Sequence, residues 1–202
     1  MSAGRQRAFD KEYALMEAMK VFWLKGYSGA SLRDLTEAMG INKPSVYSAF
    51  GSKEELFVSA INQYVDRYGL PNFDALQDMA LPLSERLEAY LNALLDMLLD
   101  PALPGGCFVT NSTCELGSNC LPDNAMQTIL AINKTSIDTY IRFFQAEKLQ
   151  GNIASDSDPE KLADYLLTQM FGLAVMAKNG VKRDALEQVI TLSITAFCVR
   201  SH

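Results

Sequence analysis

The chain has 202 residues, 49% hydrophobic and 21% charged, a balance that disfavours disorder and allows one or two packed domains. No stretch reaches the roughly 18 to 20 uncharged apolar residues a membrane span needs, and Met1 to Asp10 carry no apolar leader core, so a cytoplasmic protein without a membrane partner is expected. The net charge of −6 speaks against a nucleic-acid binder, yet residues 1–53 hold eight Lys/Arg against five Asp/Glu, a mildly basic head on an acidic body.

The pattern is helical throughout, with neither strand alternation nor an internal repeat. A first helix is expected from Phe9 to Lys25, with Leu15, Ala18, Met19 and Phe22 on one face and Gly26 as its left-handed stop. Ser31, with Asp34 three residues on, opens a second helix that stops at Gly40. Asn42 caps a third, in which Pro44 falls in the first turn, where the missing amide costs little. Ser52 and Glu55 form the capping box of a fourth. Gly69 to Leu83, with Pro71 and Pro82, reads as a break. Ser84 to Leu99 makes a fifth helix, Cys107 to Glu115 a sixth and Asp123 to Lys148 a seventh. Asp158-Pro159 starts the eighth, which Gly180 ends, and Arg183 to Val199 is the ninth. The expected fold is all-α, with about nine helices.

Two short capped helices joined by Met39-Gly40-Ile41 can cross at a steep angle, the helix-turn-helix arrangement. The residues sharpen this. Gly40-Ile41-Asn42-Lys43-Pro44-Ser45-Val46-Tyr47-Ser48-Ala49-Phe50-Gly51-Ser52-Lys53-Glu54-Glu55-Leu56-Phe57 resembles the signature of the TetR family of transcriptional regulators. That signature is a turn Gly, a polar cap, Lys, a small residue, an aliphatic, Tyr, two variable positions, Phe, then Ser-Lys-Glu-x-Leu. Gly26-Tyr27, Ser31-Leu32 and Leu35 fall at matching positions upstream. Pro44 departs from the Gly or Ala usual there. Beyond these roughly fifty residues the resemblance is one of length and helix layout.

The resemblance implies a three-helix DNA-binding domain over residues 1–51 and a ligand-binding and dimerisation domain over 52–202. It implies a homodimer on a palindromic operator, an unknown small-molecule effector, no cofactor and no enzymatic activity. Lys43, Ser45 and Ser48 fall on the exposed early part of the recognition helix, where they can reach base edges or phosphates. Tyr47 is either a phosphate contact or a half-buried core aromatic. Lys53, a cation set against a helix N-terminus, is either held by a phosphate or a solvated surface lysine. Ser31 and Arg33 are further phosphate candidates, and Arg5, Arg7 and Lys11 form a basic arm. Leu35, Ala38, Val46 and Phe50 are core on any reading.

By the same resemblance the last two helices pair with their copies through Leu166, Met170, Leu173, Ala174, Ala177, Val189, Ile190, Ile194 and Phe197. The competing reading packs these faces within one chain. The middle helices enclose the pocket, with Tyr64, Tyr90, Met97, Cys107, Phe108, Asn111, Tyr140 and Phe144 as candidate lining, and Thr110 and Glu115 as further polar groups. Cys107 follows Gly105-Gly106 and opens a helix, a position that favours thiolate. Gly106-Cys107-Phe108 resembles the start of this helix in family members that respond to electrophiles or oxidants. The other reading is a small buried hydrophobe. Cys114 lies about 10 Å further along a straight helix, too far for a disulfide. The expected mechanism is a population shift in which the effector moves two recognition helices out of match with grooves about 34 Å apart, the fourth helix acting as lever.

Metal and enzyme readings lack residues. The four cysteines form no C-x-x-C pair, the one histidine is terminal, and there is neither a Gly-rich phosphate loop nor a nucleophile elbow. A helical adaptor without DNA would leave the Lys43 to Lys53 pattern without a role.

Overall fold

A computed structural model describes residues 10–118 and 120–198. Arg5, Arg7 and His202 lie outside the described residues. Nine helices of eight residues or more are present among the described residues, and no strand. They are α1 (Lys11–Gly29), α2 (Leu32–Met39), α3 (Lys43–Phe50), α4 (Lys53–Tyr64), α5 (Leu83–Leu98), α6 (Phe108–Glu115), α7 (Asp123–Leu149), α8 (Pro159–Lys178) and α9 (Arg183–Cys198). No described helix is long and apolar enough to cross a membrane.

Short side chains fix the starts of these helices by taking up orphan amides. Asp10 Oδ1 accepts from Glu12 and Tyr13, and Asn42 Oδ1 from Ser45 at 2.9 Å. Ser31/Asp34 and Ser52/Glu55 each close a full capping box. At Gly26 (φ +71°) α1 kinks, and one further turn carries it to Gly29. Gly69 to Leu83 is less of a break than expected. A π-helical turn (Val65–Gly69) leads into it, and it holds a single helical turn (Leu70–Phe73) and a 3₁₀ turn (Asp74–Gln77). Pro71 falls in a first turn, and the fully buried Leu76 ties the segment down.

Two apolar cores form. The first gathers Ala18, Met19, Phe22 and Trp23 of α1, Leu35 and Met39 of α2, Val46 and Phe50 of α3, and Leu56, Phe57, Ala60 and Ile61 of α4. It does not close at residue 51, the expected domain boundary. Besides α4 it takes in Phe108 of α6 and Ala125 and Ile129 of α7. The second core joins α5, the C-terminal half of α7, α8 and α9. Met97 and Cys107 pack against both. Inside the second core Arg86 and Glu147, both under 3% exposed, pair through two hydrogen bonds of 2.9 and 2.5 Å. Arg86 also donates to the Leu76 carbonyl, locking the 3₁₀ turn onto α5.

Candidate functional site

The reading head is built outward from its core. Gly40 takes the left-handed conformation (φ +65°) that lets α3 leave α2 at once. Val46 and Phe50 anchor α3 to the first core, so its opposite face is held outward. Lys43, Pro44, Tyr47 and Ser48 are exposed there, and Ser45 is half-buried. Tyr47, 42% exposed, is not a core aromatic, and Lys43 Nζ stands 5.8 Å from its ring centre. Lys11 Nζ lies 5.1 Å from the Phe50 ring, so the start of α1 meets the end of α3. Ala38 is half-buried rather than core.

The flanking candidates have partners within the chain. The Ser31 hydroxyl donates to Asp34 Oδ2 at 2.7 Å and accepts from the Asp34 amide. Arg33, exposed, donates to Glu37 at 2.7 Å, which holds its guanidinium more firmly charged. Lys53 is half-buried with Nζ 4.4 Å from the Tyr27 ring centre. Burial pushes its ammonium down and the charge of Glu115 opposes this. The cation at the start of α4 thus stands over an aromatic face of the same chain.

Between the two cores lies a cavity of about 600 Å³. Five of the eight expected residues line it: Tyr64, Tyr90, Met97, Cys107 and Tyr140. Three do not. Phe108 turns into the first core with its ring 5.6 Å from Phe57, and Asn111 donates to the Trp23 carbonyl at 3.3 Å. On α6, residues 108 and 111 lie on a face turned away from the wall-forming Thr110, Phe108 meeting Phe57 and Tyr64 of α4 and Asn111 meeting α1. Phe144, one turn beyond Tyr140, lies past the cavity in the second core, stacked on Phe197 at 5.7 Å. Of the further polar candidates, Thr110 is on the wall, whereas Glu115 accepts from the Tyr27 amide at 3.2 Å, in the head.

The wall is chemically two-sided. Tyr64, Tyr68, Phe73, Leu94, Met97, Met170 and Phe171 supply aromatic and thioether surface. Thr128, Asn133, Thr135, Ser136 and Thr139, spaced along one side of α7, supply hydroxyls and an amide. Asp74, at an exposed position, is the sole charged side chain among the described lining residues. Tyr64 donates to Cys107 Sγ at 3.3 Å, and the hydroxyls of Tyr90 and Tyr140 stand 2.5 Å apart. Burial pushes Tyr64 and Tyr90 well above the ordinary phenol range and Tyr140 up to about 12, so all three are neutral donors. The sequence reading missed Tyr68 and Phe73, which lie around the expected break, and the α7 stripe. The run of small polar residues at Thr128, Asn133, Thr135, Ser136 and Thr139 within one helix was the signal available.

The apolar faces of the last two helices go elsewhere than expected. Leu166, Leu173, Ala174, Ala177, Ile190 and Phe197 are buried in the second core of their own chain, Ile194 packs against that core, and Met170 lines the cavity. Val189, 40% exposed, stands apart from them. Outward from the same helices point Val175, Met176 and Leu192, the last 71% exposed. A helix carries one stripe every 3.6 residues, and the strongest stripe goes to the chain's own core.

A capped helix-turn-helix head on a helical body with an internal cavity defines a helix-turn-helix regulator, and the comparisons with known proteins make the class specific. Residues 14–60 match the family model of bacterial regulatory proteins of the TetR family, and residues 84–192 match the tetracyclin repressor-like C-terminal domain. The HTH-type transcriptional repressor ComR of Escherichia coli K12 is 30% identical over 190 residues, covering 93% of this chain and 89% of that one. The repressor BdcR of the same organism is 31% identical over 177 residues, covering 88% and 83%. A cysteine-substituted form of the TetR family regulator CifR, solved with 26-bp double-strand operator DNA, superposes with a TM-score of 0.86. It is 35% identical and covers 96% of this chain and all of that one. The chain belongs to the TetR family. It is a DNA-binding transcriptional regulator, and its relatives are regulators rather than enzymes.

Proposed function

We propose that the protein is a cytoplasmic repressor that binds a palindromic operator as a homodimer and is released by a small molecule entering the cavity. The observation that carries this reading is α3, fixed to the core by Val46 and Phe50 and holding Lys43, Tyr47 and Ser48 to solvent. In this reading Ser45 and Ser48 address base edges, and Lys43, Tyr47, Ser31, Arg33 and Lys53 address the backbone. The effector is an uncharged, part-aromatic molecule, matched to a wall of tyrosine, thioether and threonine. The lever is α4, which carries Lys53 at its head end and Tyr64 in the cavity wall.

The test is a titration of duplex DNA from upstream of the gene at several salt concentrations. Phosphate contacts predict a steep fall of log affinity with log salt, and Lys43→Ala should flatten the slope by about two, one for each protomer. Binding that ignores salt, or a slope untouched by Lys43→Ala, would end this assignment.

A second reading makes the cavity a thiol sensor. The observation favouring it is that Cys107 Sγ lines the cavity at the start of α6, accepting from the Tyr64 hydroxyl and the Thr110 amide. Addition of the thiolate to an activated alkene such as N-ethylmaleimide forms an S–C bond while the C=C pair takes a proton at the neighbouring carbon. Loss of operator binding on this treatment should disappear in Cys107→Ser and persist in Cys114→Ser. The opposite pattern would assign the response to the exposed Cys114.

A further inference from the structure

α4 is not the sole element that reaches from the cavity to the reading head. The eight residues of α6 span about 12 Å and have one end in each. Cys107 caps the helix and, with Val109 and Thr110, forms cavity wall. Just before it Gly106 lies so close to α8 that a Cβ there would stand 3.3 Å from the Ala174 carbonyl oxygen. Midway along, Asn111 donates to the Trp23 carbonyl of α1. At the far end the Glu115 carboxylate accepts from the backbone amides of Tyr27 and Ser28, in the last turn of α1 beyond the Gly26 kink. The fit is tight: Gly26 has φ +71°, and a Cβ at that position would lie 2.0 Å from Glu115 Oε1. Lys53, over the Tyr27 ring, adds its charge to the same site.

We propose that α6 is a strut between cavity and head, and that Glu115, which lines neither the cavity nor the exposed face of α3, is a positioning residue whose carboxylate sets the Gly26–Ser28 turn from which α2 and α3 are hung. An occupant pressing on Val109 and Thr110 displaces a short rigid helix lengthwise or sideways, and the carboxylate carries that displacement into the turn. Base contacts tolerate errors of about half an ångström, so a small shift at the turn costs affinity. Asn111 prevents α6 from sliding along α1 without moving it. The inference rests on the reading of the cavity as the effector site and names the contact through which it acts.

The experiment is a double-substitution cycle on the full chain, read as affinity for the upstream DNA fragment. Thr110→Phe puts a phenyl group into the cavity from the strut itself, standing in for an effector. Val109→Trp serves in its place if that protein does not fold, as judged by circular dichroism and thermal melting. Thr110→Phe is expected to weaken DNA binding about tenfold when Glu115 is present and less than twofold in Glu115→Ala. Glu115→Gln, which keeps one amide-accepting oxygen, should restore most of the tenfold response. Equal losses with and without Glu115, in folded proteins, would overturn the strut while leaving the cavity as effector site. Folded fillers with unchanged affinity in every background would overturn both. Failure of the unsubstituted protein to bind the fragment would instead remove the upstream-operator reading on which both depend.

Discussion

Single side chains carry unequal weight in this molecule. Arg86 and Glu147 form a bidentate ion pair out of reach of water, and Asn152 adds a 2.7 Å bond to Glu147. Such a pair repays little over an apolar substitute, but breaking it strands a charge. Arg86→Met should therefore cost about 3–5 kcal/mol, read from the urea midpoint, because Glu147 stays behind uncompensated. Arg86→Met with Glu147→Leu should recover most of that. A double variant as unstable as the single would mean that the Leu76 carbonyl, not the charge, needs the arginine. At the surface, Lys25 and the Ser31 donors hold the Asp34 carboxyl far below the usual carboxylate range. A lowered folded-state pKa adds stability above the unfolded value, about 3.9, and that stability is lost as pH falls through the acid range. The melting-temperature gap between the protein and Asp34→Asn should be open at pH 7 and close progressively below pH 4. A gap that stays constant down to pH 2 would exclude the charge as its source.

Among the elements, α3 shows how short a functional helix can be when its ends are fixed. Eight residues do not hold a helix in water by themselves. Asn42 caps the start, Pro44 fixes the first turn, and Val46 and Phe50 bury the inner side. Asn42→Ala removes an N-cap worth about 1 kcal/mol. It should lower thermal stability modestly while weakening DNA binding more, since the cap orders the very turn bearing Lys43 and Ser45. Equal effects on both measurements would show that the cap serves stability alone. All three caps in this region were legible in sequence, because an N-cap is a local bond between residues two or three apart. The cavity was legible only in part. Tyr64, Tyr90 and Tyr140 stood out as large aromatics, but their neighbours Phe108 and Phe144 carry the same chemistry and face elsewhere. Which face of a helix meets a hollow depends on how its neighbours cross, and that is a long-range property. Lys53 illustrates the same limit. Its position against the dipole of α4 marked it as needing a partner, and Tyr27, twenty-six residues away, was invisible until the chain folded.

At the scale of the whole molecule, α8 and α9 present Val175, Met176, Val189 and Leu192 outward. Large exposed apolar side chains gathered on adjoining helices favour burial against a second copy. Leu192→Glu should convert a dimer to a monomer in sedimentation and abolish operator binding while leaving the melting of the isolated chain nearly unchanged. A dimer that survives Leu192→Glu together with Val175→Glu would place the interface elsewhere. The sequence by itself determined the all-helical class, the caps, the helix-turn-helix and the family, because these depend on contacts within a turn or two and on a spaced motif. Tertiary structure alone decided that Leu166, Leu173, Ala174, Ala177, Ile190 and Phe197 serve the chain's own core, that Asn111 and Glu115 belong to the head, and that a cavity lies between two cores. Those outcomes turn on which of several equally apolar or polar faces meet, and only the packing of the helices against one another selects among them.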